Sequence, residues 1–136
     1  PDPYTTLTIP SATNKVISVG GYNGRDDTIA TFSGRGYTRE YNMVKPDIVA
    51  PAVNVSASNN GGITVKSGTS MAAPFVTGAA ALLMEWGIVN GNDRFLYGEK
   101  VKAYLIRGAR PLSSREEQPN PLAGYGALCL SRSFPD

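Results

Sequence analysis

Histidine is missing from all 136 residues, and cysteine occurs once, at Cys129. The first absence removes the usual neutral-pH general base and the commonest metal ligand. The second excludes an internal disulfide and a thiolate cage for structural zinc. An excess of charge of one sign is missing too: six basic residues stand against five acidic ones in residues 1–70, and seven against six in the remainder. That balance argues against a nucleic-acid partner and against an anionic membrane surface. The longest apolar run, Ala79 to Met84, is far too short to cross a bilayer, so no membrane segment is expected.

What remains is ordinary globular material, 41% hydrophobic and 18% charged, at the length of a single compact domain. The start, Pro1-Asp2-Pro3, carries no initiator methionine and suggests a boundary inside a longer chain, so the lack of a leader peptide carries no information. Residues 1–14 are rich in Pro, Thr and Ser, and only Thr5 to Ile9 could pair as a strand. Short β-branched or apolar runs predict buried strands at Lys15 to Val19, Thr28 to Phe32, Asp47 to Ala50 and Ile63 to Lys66. Gly20-Gly21, Asn23-Gly24, Ser33 to Gly36 and Asn59 to Gly62 read as the turns between them.

From Met71 to Trp86 the chain is almost uncharged and dominated by small helix formers, which predicts a central helix buried on every side. Thr69 or Ser70 is the expected cap, with Pro74 in the first turn or just beyond it. A second, amphipathic helix is expected from about Gly98 to Arg107, with Val101, Tyr104 and Leu105 on its inner face. Pro111 to Pro121 reads as a polar loop and Gly124 to Leu130 as a short closing element. Short buried strands with an all-apolar helix point to an α/β fold, a parallel sheet covered on both faces. Between Lys15 and Lys66 there are too few crossover helices to complete such a sheet, so the expected unit, residues 1–136, is a single but incomplete domain.

Chemistry concentrates in Ser67-Gly68-Thr69-Ser70-Met71-Ala72-Ala73-Pro74. A serine at the mouth of a helix meets orphan N–H groups and the positive end of the helix dipole, a setting suited to a developing oxyanion. Gly68 would let the backbone turn sharply and a substrate come close. The plainer reading, that Ser70 or Thr69 only caps the helix, is compatible with the first.

The run Gly68 to Pro74 resembles the nucleophile signature of the subtilisin-like serine proteases, the subtilases. Other segments resemble the family in the same order: Pro10 through Gly20 its cis-proline turn and strand, Phe32-Ser33, Lys45 to Pro51 its strand into Ala-Pro-Gly, and Gly124 to Leu128 its closing Gly-x-Gly. Phe32 to Tyr37, Trp86 to Gly91 and Leu96 to Lys100 are most similar to subtilases of clostridia, a branch that includes spore germination-specific proteases.

The resemblance implies the C-terminal portion of a subtilisin-like parallel sheet, with a buried helix starting at Ser70, and a serine endopeptidase in the intact parent. Ser70 would be nucleophile and backbone oxyanion donor, with Gly68, Thr69 and Thr8 on the substrate side. The family's aspartate, histidine and oxyanion asparagine would precede Pro1, leaving these 136 residues inactive alone and dependent on the N-terminal part of the catalytic domain. Peptide or protein substrates, self-association of the isolated piece, and a secreted or spore-associated location in a Gram-positive bacterium follow as expectations. The competing reading is a pseudoprotease or a non-catalytic binding scaffold. Ala52 stands where the family has glycine, which would strain the backbone if that position requires positive φ.

Two substitutes for the missing base fail. Lys66 lies four residues of extended chain from Ser70, roughly 13 Å against the ~3 Å a proton transfer needs. Asp47 lies in the segment that resembles a structural strand, so it reads as a strand-end partner. No cofactor is expected, save a structural calcium ion at Asp26-Asp27, which reads more simply as a solvated turn. The glycine pairs complete no phosphate-binding fingerprint. Cys129 reads as a small core residue, and Asn54-Val55-Ser56 as a glycosylation pattern too common to use.

Overall fold

A computed structural model describes residues 5–112 and 117–135. Its organising layer is a three-stranded sheet of β1 (Val19–Asn23), β2 (Thr28–Ile29) and β5 (Ile48–Pro51), in the order β2-β1-β5. β1 runs parallel to β5, with Val19 opposite Ile48 and Tyr22 opposite Pro51, while β2 turns back antiparallel on β1. The far edge of β5 is taken up by residues 126–128: the Val49 amide donates to Gly126 O at 3.0 Å and the Leu128 amide to Val49 O at 2.8 Å. Two small antiparallel pairs complete the strands, β3 (Gly36–Tyr37) with β4 (Val44–Lys45), and the hairpin β6 (Val55–Asn59) with β7 (Gly62–Lys66).

Both faces of the sheet are covered, because alternation along Ile48-Val49-Ala50 sends successive side chains to opposite sides. On one face α1 (Thr69–Met84) and α2 (Glu99–Gly108) close over Ile48, Ala50 and Ala52, burying Ala72, Val76, Ala79, Leu83, Val101 and Leu105. On the other, Tyr22, Val49, Leu112, Ala123 and Ala127 form a smaller cluster. The mixed α/β architecture expected from the sequence is therefore present. The amphipathic helix falls within a residue of its expected span. A final turn, α3 (Leu130–Ser133), packs under α2, where the Ser133 hydroxyl donates to Cys129 O at 3.0 Å. Residues 111–112 and 117–121 belong to the expected loop; its residues 113–116 lie outside the described residues, as do residues 1–4.

Several local expectations change. The first strand is Val19–Asn23, not Lys15 to Val19, and it runs straight through Gly20-Gly21. These glycines answer long-range crowding: a Cβ at Gly20 would lie 2.8 Å from Pro46 Cγ and 2.9 Å from Ser33 Oγ, and one at Gly21 would lie 2.5 Å from Ala52 Cβ. Thr5 to Ile9 contributes only a single bridge, Thr5 to Gly36. β2 is limited to two residues. β6 was not foreseen, because the apolar face of Val-Ser-Ala-Ser-Asn is confined to Val55 and Ala57.

α1 is buried on one stripe rather than all round: Phe75 is 42% exposed, Leu82 50% and Met84 37%. Its last turn, Glu85–Val89, widens to a π-helix, so a continuous helix spans Thr69–Val89, 21 residues with a mean hydropathy of 1.5. Length and composition alone would let that helix cross a bilayer, contrary to the reading of its apolar run. Its packed stripe against β1 and β5 is that of a core helix.

Asp47, 3% exposed, anchors the start of β5. Its Oδ2 accepts from the Ser18 amide (2.7 Å), the Ser18 hydroxyl (3.0 Å) and Lys45 Nζ (2.6 Å), and its Oδ1 faces Lys102 Nζ of α2 at 2.8 Å. The Lys102 ammonium also donates to the Asn14 and Val16 carbonyls. This is the strand-end partner expected of Asp47. Burial pushes the Lys45 ammonium below its ordinary pKa, against the opposing pull of Asp47.

Candidate active site

β5 ends at Pro51, and the next residue, Ala52, receives the turn that leads from the β6–β7 hairpin into α1. The Gly68 amide donates to Ala52 O and the Asn54 amide to Ser67 Oγ, both at 2.9 Å. Gly68 then precedes the helix with φ 150° and ψ 157°, backbone that L side chains rarely adopt. The Met71 amide turns back onto Gly68 O at 2.9 Å.

No side chain caps α1, so the expected caps Thr69 and Ser70 do not act as caps. Both already lie inside the helix, and their side chains are available for other work. Ser70, second in the helix, is exposed to solvent, and its hydroxyl has no hydrogen-bond partner among the described residues. Its amide is one of the first-turn donors that an α-helix cannot satisfy internally. Pro74, sixth in the helix, also withholds the donor that would otherwise reach the Ser70 carbonyl. The seat of Ser70 thus combines a free hydroxyl, a free amide and the positive end of a helix dipole.

Thr69 and Thr8, far apart in sequence, line one cleft of about 260 Å³ together with Thr6, Leu7, Ser18 and Phe32. No charged side chain contributes to its walls. A larger cavity of about 560 Å³, between residues 5–14 and 37–43, includes neither Gly68, Thr69 nor Ser70, and of these three the smaller cleft reaches only Thr69.

Lys66 lies exposed on β7, paired across the hairpin with Val55. Asp26 and Asp27 do not converge on a common point. Asp26 binds the Thr28 amide and hydroxyl, which hold its carboxyl below the usual carboxylate range, and also Asn23. Asp27 forms a two-point pair with Arg110 at 2.8 Å for each contact. Each carboxylate is thus engaged by a different protein partner, and no group of three or more His, Cys, Asp or Glu side chains gathers among the described residues. Ala52 is not among the residues with positive φ, so the strain expected there is absent. The Cys129 thiol is half-buried, and contact with the Ser131 hydroxyl holds it below the ordinary thiol pKa.

Comparison with known proteins decides the family. Residues 3–127 match the subtilase family, Peptidase S8. The chain belongs to the subtilases. It is 34% identical over 151 aligned residues to the serine protease AprX of Bacillus subtilis, covering 96% of this chain and 32% of that protein. Against the human membrane-bound transcription factor site-1 protease the identity is 44% over 139 residues, 96% of this chain and 12% of that one. Among solved structures, the Clostridium perfringens CspB protease superposes with a TM-score of 0.91 at 51% identity, covering 96% of this chain and 28% of that chain. The patellamide maturation protease PatA gives 0.70 at 27% identity, covering 93% and 44%. The subtilase chain described here thus spans a third or less of AprX, site-1 protease and CspB, and it shares their family of serine proteases and their fold.

Proposed function

We propose that Ser70 is the nucleophile of a serine endopeptidase whose remaining catalytic groups lie outside these 136 residues. The observation that carries this reading is the seat of Ser70: an exposed hydroxyl, relieved of any capping role, at the second position of α1. Its Oγ adds to the carbonyl carbon of a peptide bond while its proton passes to a base. The resulting oxyanion takes a hydrogen bond from the Ser70 amide. Collapse of the intermediate expels the amine, which leaves with that proton. Water, deprotonated by the same base, then cleaves the acyl ester and restores the hydroxyl.

The base is a histidine from another part of the protein, since this chain has none. The short span relative to the family's full-length proteases supports that division of labour. Gly68 gives the substrate backbone room to approach, and the cleft shared by Thr8 and Thr69 receives a substrate side chain. The exposed flank of α1 that carries Phe75 and Leu82 is the surface on which the rest of the catalytic domain packs. A second reading, a non-catalytic subtilase scaffold, draws on the same absence of histidine.

Peptide hydrolysis by the intact protein and by its Ser70→Ala variant separates the two. The endopeptidase reading expects a fall in kcat of about a million-fold, the loss that removal of the nucleophile causes in subtilisin. Equal hydrolysis by both proteins, or none by either, refutes it.

A further inference from the structure

We propose that Gly21 and Ala52 are positioning residues for Ser70: the space between them holds one methyl group, and that methyl fixes the ledge on which the nucleophile turn rests. The inference builds on the reading of Ser70 as nucleophile. Ala52 is fully buried, its amide donates to Tyr22 O on β1, and its carbonyl accepts from the Gly68 amide, each at 2.9 Å. Any movement of residue 52 is therefore passed to Gly68, two residues before Ser70. Across the gap, Gly21 has an ordinary backbone φ, so conformation does not require glycine there. Sterics do: a Cβ at position 21 would sit 2.5 Å from Ala52 Cβ, and its other neighbours, Phe32 Cε2 and Thr69 Cγ2, lie at comfortable distances of 3.6 and 3.7 Å.

Relief of that single clash to ordinary carbon contact at about 3.5 Å displaces one side by about 1 Å. β1 is held on both edges by β2 and β5. Ala52 lies beyond the last residue of β5, so the displacement falls on Ala52 and the turn it supports. A misplacement of that size at a nucleophile costs roughly a hundredfold in rate. The geometry also predicts a compensation: with glycine at 52, the nearest remaining neighbours of a methyl at 21 are Phe32 and Thr69, at normal contact distance. The methyl can occupy either side of the gap but not both.

The test uses the intact protein with Gly21→Ala, Ala52→Gly and the double exchange, measuring peptide hydrolysis, the rate of Ser70 labelling by a fluorophosphonate, and the thermal midpoint. Gly21→Ala is expected to lower kcat and labelling about a hundredfold with KM little changed, and the double exchange to restore both to within a few-fold of the parent. Wild-type labelling by Gly21→Ala overturns the proposal, as does a double variant that regains the parent's midpoint yet stays as slow as the single one. Should Gly21→Ala not fold, Ala52→Gly carries the test, because it loosens the ledge without a clash: slower labelling at unchanged KM supports the proposal, and an unchanged rate overturns it. Persistent hydrolysis by Ser70→Ala would instead remove the nucleophile reading itself, a result separate from any of these.

Discussion

Replacing Asp47 by asparagine isolates the cost of the buried charge cluster that sets the start of β5. The carboxylate serves four donors: the Ser18 amide and hydroxyl, Lys45 Nζ and Lys102 Nζ. Asparagine is the same size and its carbonyl can keep the Ser18 amide, so the substitution deletes the charge with little loss of packing. Lys45 then remains 2% exposed with no anion beside it, whereas Lys102, somewhat more open, can turn its ammonium toward water. Stranding one partner of a buried pair costs about 3–5 kcal/mol. The sign of the pH dependence follows from Lys45. Its folded-state pKa already lies below the ordinary 10.5, so between those two values the unfolded chain binds more protons. This group's contribution to stability therefore rises as pH rises through that window and is lost as pH falls. Without Asp47 the depression deepens, and the penalty should be smaller at about pH 10 than at about pH 7. Urea unfolding of the intact protein measures both effects. Adding Lys45→Met to Asp47→Asn removes the stranded charge and is expected to recover most of the loss. A cost below about 1 kcal/mol for Asp47→Asn, or a double variant no better than the single one, would refute the reasoning.

Three further outcomes are expected. The isolated 136-residue chain should self-associate through the apolar flank of α1, where Phe75 and Leu82 stand open; sedimentation velocity checks this, and a stable dilute monomer with cooperative unfolding contradicts it. Arg110→Ala removes the two-point contact to Asp27 and the guanidinium stacked 5.6 Å from the Tyr22 ring. Because that pair is partly solvated, its loss should cost only about 1–2 kcal/mol, less at high salt, by urea unfolding. Thr8→Phe fills the cleft of about 260 Å³ shared with Thr69, so peptides with bulky side chains at the cleaved bond should show a raised KM while those with small ones keep theirs.

What could be read from the sequence was what is decided locally. The run from Gly68 to Pro74 carries its own turn, helix start and serine, and α2 announces itself through a 3.6-residue repeat ending at a glycine. The hairpin turn at Asn59 to Gly62 was equally plain, yet its first strand was not, since Val55 and Ala57 alone make up the apolar face of residues 55–59 and the strand pairs with β7 alone. The displacement of β1 has a non-local cause. Gly20 and Gly21 look like a turn until Pro46, Ser33 and Ala52 close in on them from distant parts of the chain. Lys45 likewise looks like a surface lysine, and only the fold brings Ser18 and Lys102 to share Asp47 with it. The all-round burial expected of α1 followed from its composition, whereas partial burial depends on which elements are there to cover it. That Thr8 and Thr69 lie on the substrate side was an implication of the family resemblance, with no periodicity or spacing behind it, and their shared cleft emerges only in the fold.

The most direct measurement is the mass of the peptide bearing residue 70 after the intact protein is treated with a fluorophosphonate. A single phosphonyl adduct on Ser70, abolished by prior denaturation and missing from the isolated 136-residue chain, is the expected result. An adduct on another residue, or equal labelling of Ser70 in the isolated chain, would contradict an attack that begins at this hydroxyl and depends on a base supplied from elsewhere in the protein.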